Sequence, residues 1–292
     1  MIELASGMEY CEGPGGLACI RIQAPLGPAL LSLQGAQVLE FGKMLWLSPT
    51  ARFEAGQAIR GGIPLCWPRF GRQASQITLP QHGFARVMLW RLAGSSRRAD
   101  GSAVLNLDLE DSPQSRKIWP EAFHLSLEIR LGASLELELR VENRGERAWD
   151  HQAAFHPYFQ TPDLRGCGVL GLSGLDYLEK REERGMGHQS EKVLKVAEGL
   201  DRIYFKSPPC CSLSSESAGV FLEIEKEGAI DTVVWNPGPG LLQAPADLCA
   251  ELWKDFLCVE ALSSYQMESL ERGKSRRMMM RMTPISGAGS GP

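Results

Sequence analysis

His124-Leu125-Ser126-Leu127-Glu128-Ile129-Arg130-Leu131-Gly132-Ala133-Ser134-Leu135-Glu136-Leu137-Glu138-Leu139-Arg140-Val141 is the stretch that decides the fold. Leu125, Leu127, Ile129 and Leu131 alternate with polar residues, and so do Leu135, Leu137, Leu139 and Val141. A period of two places every apolar side chain on one face of a strand. Gly132-Ala133-Ser134 reads as a short hairpin loop between the two. Upstream, Leu105, Leu107 and Leu109 alternate with Asn106, Asp108 and Glu110. These three segments predict an antiparallel meander with one wet face. Val220, Leu222 and Ile224 repeat the pattern later in the chain.

Outward from this meander, few windows have a helical period. The best, Ala244–Lys254, is short. Glycine (31) and proline (18) punctuate the whole chain, as many short strands require. We therefore expect an all-β fold, a large antiparallel β-sandwich with few short helices. No linker-like composition breaks residues 1–284, which are read as one domain, with 285–292 as a flexible tail. The charged stretch Glu179–Lys195 reads as a solvated connection.

The formal net charge of −4 argues against the basic stripe of a nucleic-acid binder. An anionic ligand would have to be caught by local arginines. The eight cysteines form no CxxC pair and read as reduced, mostly buried thiols. Neither Cys nor His has metal-ligand spacing, so no metal and no cofactor are expected. The N-terminus lacks a charged region followed by an apolar one. The apolar run Ala29–Phe41 is cut by Gln34, Gly35, Gln37 and Glu40, so no membrane span is expected. The expectation is a cytoplasmic protein, monomeric, whose partner is a small molecule.

Chemistry-bearing residues cluster in blocks. Arg60-Gly61-Gly62-Ile63-Pro64-Leu65-Cys66-Trp67-Pro68-Arg69-Phe70-Gly71 precedes His82-Gly83-Phe84-Ala85-Arg86. An arginine offers a planar fork of donors suited to phosphate or carboxylate, and the glycines let backbone approach a ligand. Trp67 and Phe70 are candidates for an apolar wall. His156 lies among aromatics in Phe155-His156-Pro157-Tyr158-Phe159, where its surroundings can tune it as an acid. His151 and His156 do not form HExxH. Strand alternation puts Phe256, Cys258 and Glu260 on one face, and a buried carboxyl there would have a raised pKa useful to a general base. Asp201 and Asp231 are further acids beside apolar runs, and Asp231 also suits a turn at a strand start. His124 and His188 carry no signal. By themselves these residues suggest a rigid cup for an anionic, ring-shaped small molecule and name no reaction; beside the resemblance that follows, a non-catalytic sugar-phosphate binder and a carbohydrate-cleaving enzyme using paired carboxylates stay as alternatives.

Taken together and in order, the blocks resemble the hexose-6-phosphate mutarotases (glucose-6-phosphate 1-epimerases), a branch of the aldose 1-epimerase family. They are Ala58–Pro68, Phe70-Gly71, His82–Arg86 with Trp90, His156–Phe159, Asp201–Tyr204, Val233–Pro237 and Cys258–Ala261. The resemblance implies a galactose-mutarotase-like β-supersandwich with its site in a concave sheet. It also implies interconversion of the α and β anomers of hexose 6-phosphates. Carried over, His156 is the general acid, acting as an imidazolium, and Glu260 the general base. Arg60 and Arg86 hold the phosphate, and Gln81, His82 and Asp201 bind the sugar. Arg69 departs from the pattern, standing where many relatives carry a second Trp. The basic, Met-rich segment 270–280 is also unusual.

Overall fold

The computed structural model describes residues 2–71, 79–161, 164–181, 185–196, 199–216, 219–239, 247–248 and 251–285. The expected tail from residue 286 onward lies outside them. Among the described residues the fold is all-β, with one short α-helix, Pro113–Ile118. The helix is capped by Ser112, whose side chain accepts from the Ser115 N–H while the Ser115 side chain accepts from the Ser112 N–H, with Pro113 in the first turn.

The meander forms as its periodicity predicts. Ala103–Glu110, Phe123–Leu131 and Leu135–Asn143 are adjacent antiparallel strands of a nine-stranded sheet. Leu125, Leu127, Ile129, Leu131, Leu135, Leu137, Leu139 and Val141 are all buried in one continuous cluster. Each such side chain contributes about 1.5–3 kcal/mol relative to exposure. In Gly219–Glu227, Leu222 and Ile224 join that core, but a bulge between Val220 and Leu222, opposite Leu213 and Ser214, shifts the register, and Val220 is left exposed.

The basic, Met-rich C-terminal segment lies in the middle of this sheet. Ser275–Pro284 pairs with Gly219–Glu227 on one side and Leu135–Asn143 on the other. Met278, Met280 and Met282 point into the core. Arg277 and Arg281 lie on the outer face, where Arg277 bridges Glu138 and Glu227 and Arg281 bridges Glu136 and Glu225. Arg277 and Arg281 are thus the outer-face partners of glutamates in the two neighbouring strands.

The second large sheet has eight strands. Gly185–His188, Asp176–Glu179, Leu200–Tyr204, Asp231–Asn236, Phe256–Leu262, Ala154–Phe155 and Leu65–Cys66 follow in that order, and Tyr158–Gln160 also pairs with Phe256–Leu262. Leu257, Val259 and Ala261 face the main core. Phe256 and Cys258 belong instead to a cluster with Trp46 and Tyr158, and Leu262 to one with Cys66 and Phe70. Glu260 therefore sits on this second face, between two apolar patches. A four-stranded sheet, Met8–Glu12, Ala18–Ala24, Gly27–Ser32 and Gln37–Phe41, adds Ile20, Ile22, Leu31 and Phe41 to the main core.

One expectation is corrected. Glu179–Lys195 is not a solvated connection: it contains the end of one strand and two more, Gly185–His188 and Val193–Lys195, and it passes from one large sheet to the other. The charges misled because they are paired across strands. Glu179 is buried and accepts from Arg202 Nε at 3.0 Å and from the Asp201 N–H at 3.1 Å. The described residues of the expected helical window Ala244–Lys254 contribute to a 3-10 turn, Leu252–Asp255. Residues 244–246, 249 and 250 lie outside the described residues.

Candidate active site

Antiparallel register brings the two central residues together. Tyr158 pairs with Cys258 and Phe155 with Ala261, so His156 falls opposite Glu260. Pro157 interrupts the ladder without changing the register, and the His156 N–H donates instead to the Pro64 carbonyl at 3.1 Å. His156 Nε2 lies 3.3 Å from Glu260 Oε1. Both residues are buried, at 6% and 2% exposure. On the other side of Glu260 the register continues through Val233 to Ile203. Asp201 lies one side-chain row along, opposite Trp235. The face alternation that grouped Phe256, Cys258 and Glu260 is the one observed.

The walls are aromatic. His156 stacks on Tyr158, with ring centroids 4.9 Å apart, and meets Trp235 edge-on at 5.9 Å. His82 stands edge-on to His156 at 5.6 Å and to Phe70 at 5.2 Å. Phe70 is thus a wall residue, but Trp67 is not. Its ring packs into the main core against Phe84, Trp119, Phe123 and Trp149. Arg69 is drawn off to the Asp150 carbonyl at 2.7 Å and the Met267 sulfur at 3.4 Å. Asp231 serves as a turn anchor, accepting from the N–H groups of Lys206 and Tyr265.

Three cations surround the pair. Arg60 donates to the Tyr158 hydroxyl at 3.1 Å and to Asp247 at 3.3 Å. Arg86 donates to the Gln81 carbonyl at 2.7 Å. Lys180 lies 4.0 Å from Asp201 and over the Phe70 ring. The sequence reading missed Lys180, Tyr158 and Asp247. Lys180 was hidden in the stretch read as a connection, and Asp247 in a segment read for helical period. Tyr158 stood in a quoted block as an aromatic, with nothing to show that its hydroxyl meets Arg60.

Burial dominates the electrostatics. With the added charge of Asp201, it pushes the Glu260 carboxyl well above the usual range. With the charges of Arg86, Arg60 and Lys180, it pulls His156 down to about 3. Burial raises Asp201 too, against the pull of Lys180. Burial therefore shifts the proton of the central pair away from His156 and towards Glu260, relative to the imidazolium and carboxylate expected from sequence. Both descriptions hold the same single proton, shifted across one 3.3 Å contact. Buried atoms that have no hydrogen-bond partner among the described residues include His156 Nδ1, Glu260 Oε2, Arg60 Nε and Arg86 Nε. Their concentration in one place is costly without a ligand to satisfy them.

Comparison with known proteins gives the family. The sequence profile of the aldose 1-epimerase family matches residues 18–283. A protein of Escherichia coli K12 named "putative glucose-6-phosphate 1-epimerase" is 32% identical over 88% of this chain and 87% of its own length. A protein of the same name from Cenchrus ciliaris is 30% identical over 98% of this chain and 87% of its own. Among solved structures, a mutarotase-named protein from Salmonella typhimurium superposes with a TM-score of 0.88 at 27% identity, covering 98% of this chain and 96% of its own. The chain belongs to the aldose 1-epimerase family, isomerases that interconvert sugar anomers.

Proposed function

We propose that the substrate is a hexose 6-phosphate, with glucose 6-phosphate first among them, and that His156 and Glu260 move the protons of ring opening and closure. The observation that carries this reading is the 3.3 Å contact between His156 and Glu260, buried in a pocket whose histidines feel the charges of Arg60, Arg86 and Lys180. The relatives named for glucose-6-phosphate 1-epimerase support the choice of substrate.

Ring opening removes the proton from the C1 hydroxyl, forms the C1 carbonyl, breaks the bond from C1 to the ring oxygen and protonates that oxygen. Glu260 as carboxylate takes the first proton and His156 as imidazolium gives the second. The pair is then a protonated Glu260 and a neutral His156. Burial shifts the pair in the direction of this state. Rotation about C1–C2 presents the other carbonyl face, and closure returns both protons. Each positioned acid or base contributes ~10²–10⁴-fold. Arg60 and Arg86 grip the phosphate, which does not react, and orient the ring between the pair. Gln81, His82 and Asp201 hold sugar oxygens.

The test is anomer equilibration of pure α-glucose 6-phosphate, followed by polarimetry or exchange NMR. Acceleration by the protein, absent in His156→Asn, supports the reading. Equal rates with and without protein would sink it.

A further inference from the structure

We propose that His82 is locked as the tautomer protonated on Nε2, a hydrogen-bond donor that does not exchange protons, and that Gly71 and Cys66 are the positioning residues that lock it. The Gly71 N–H donates to His82 Nδ1 at 3.3 Å. A backbone N–H can only donate, so Nδ1 must present its lone pair. The Cys66 sulfur lies 3.4 Å from the same nitrogen. Cys66 is fully buried, which pushes its thiol up to about 12, so it keeps its proton and also faces Nδ1 as a donor. A neutral imidazole that accepts at Nδ1 carries its proton on Nε2.

The backbone holds the ring where these donors reach it. The His82 N–H donates back to the Gly71 carbonyl at 2.9 Å, closing a reciprocal clasp. His82 adopts φ of 62°, a left-handed conformation that costs a non-glycine residue about 1 kcal/mol. The next residue, Gly83, could not carry a side chain, because a Cβ would lie 2.0 Å from the Trp67 carbonyl oxygen. A strained conformation held from both sides signals a ring whose place is set by its surroundings.

Groups facing the ring are Phe70, Cys66, Gln81 and His156, with the charges of Arg86, Arg60 and Lys180. The three cations and burial oppose a second proton. His82 Nε2 lies 3.3 Å from the Gln81 side-chain nitrogen. A donor at Nε2 requires that amide to be turned so that its oxygen faces the ring. Nε2–H is then available to Gln81 or to a sugar oxygen beside the His156–Glu260 pair. Only the identity of that acceptor rests on the proposed function; the tautomer does not.

NMR of the full chain with isotope-labelled imidazole nitrogens tests the lock, with the His82 signals assigned by their loss in His82→Gln. The expected spectrum has a protonated Nε2 and a bare Nδ1 from about pH 6 to about pH 9. An Nδ1–H form or an imidazolium in that range would overturn the proposal. Cys66→Ala should populate the other tautomer measurably; an unchanged spectrum would remove Cys66 from the clasp. In anomer exchange, His82→Phe should lose about 10²-fold in kcat. His82→Gln, whose amide N–H reaches the Nε2 position, should recover most of it with the wild-type pH profile. Equal losses in both would show that His82 does exchange protons. A protein inactive on sugar phosphates but with the expected tautomer would fail the functional reading and leave the lock standing.

Discussion

In the nine-stranded sheet, the outer-face charges stand in ladders. Arg281 reaches Glu136 and Glu225, and Arg277 reaches Glu138 and Glu227, all partly in solvent except Glu136, which is buried beneath its arginine. In the eight-stranded sheet, the corresponding face of Phe256–Leu262 is closed over by aromatics, and its one carboxyl, Glu260, has a histidine beside one oxygen and no hydrogen-bond partner among the described residues for the other. Both faces come from the same alternation. Solvated, paired charge costs the fold almost nothing. A buried carboxyl without full compensation destabilises it, and that is where a proton-transferring group needs to be.

The comparison can be broken from either side. The largest loss of stability should come from the nine-stranded sheet's inner face. Met280→Ala removes a fully buried side chain and should cost about 2–5 kcal/mol in denaturant unfolding. On the second face of the other sheet, Arg60→Ala should weaken phosphorylated sugars by about 10–100-fold in KM, the scale of a charged hydrogen bond. Free hexoses should be little affected. Equal effects on both would separate Arg60 from the phosphate.

A third change lies beside the site. His151 is buried, and neither ring nitrogen has a hydrogen-bond partner among the described residues. It faces Trp149, Arg69, Arg276 and Asp150, and burial with the two arginines lowers it to about 4. The unfolded chain takes up this proton near pH 6.5. Stability from this residue is therefore complete above that pH and falls as pH drops towards about 4. His151→Phe should shift acid unfolding to lower pH, and an unshifted midpoint would refute the assignment. The smallest effect is expected at Arg277→Ala, half exposed on the outer ladder, with under about 1 kcal/mol lost in the same unfolding assay.

Where one face is wet, the sequence could be read directly. Leu125 to Val141 alternate without exception, and the sheet follows. The motifs around Arg60, His82, His156 and Glu260 were equally legible as blocks. Their convergence was not, because it depends on the register between Ala154–Gln160 and Phe256–Leu262, which no single segment encodes. Lys180 and Glu179 were lost because charge-rich strands look like loops until their partners are known. Trp67 was misplaced because its motif does not say which side of the chain faces the core. The direction in which burial shifts the proton of the His156–Glu260 pair was not legible for another reason: the balance between burial and neighbouring charge exists only once the pocket is assembled.

The most direct test of the account is Glu260→Gln, measured for anomer exchange of α-glucose 6-phosphate and for unfolding near neutral pH. Because burial raises the Glu260 carboxyl well above its unfolded range, this group contributes less stability as pH rises above about 4.5. The amide should therefore hold or raise stability while exchange falls by about 10²–10⁴-fold. A variant that keeps wild-type exchange, or loses it only because it unfolds, would contradict the account.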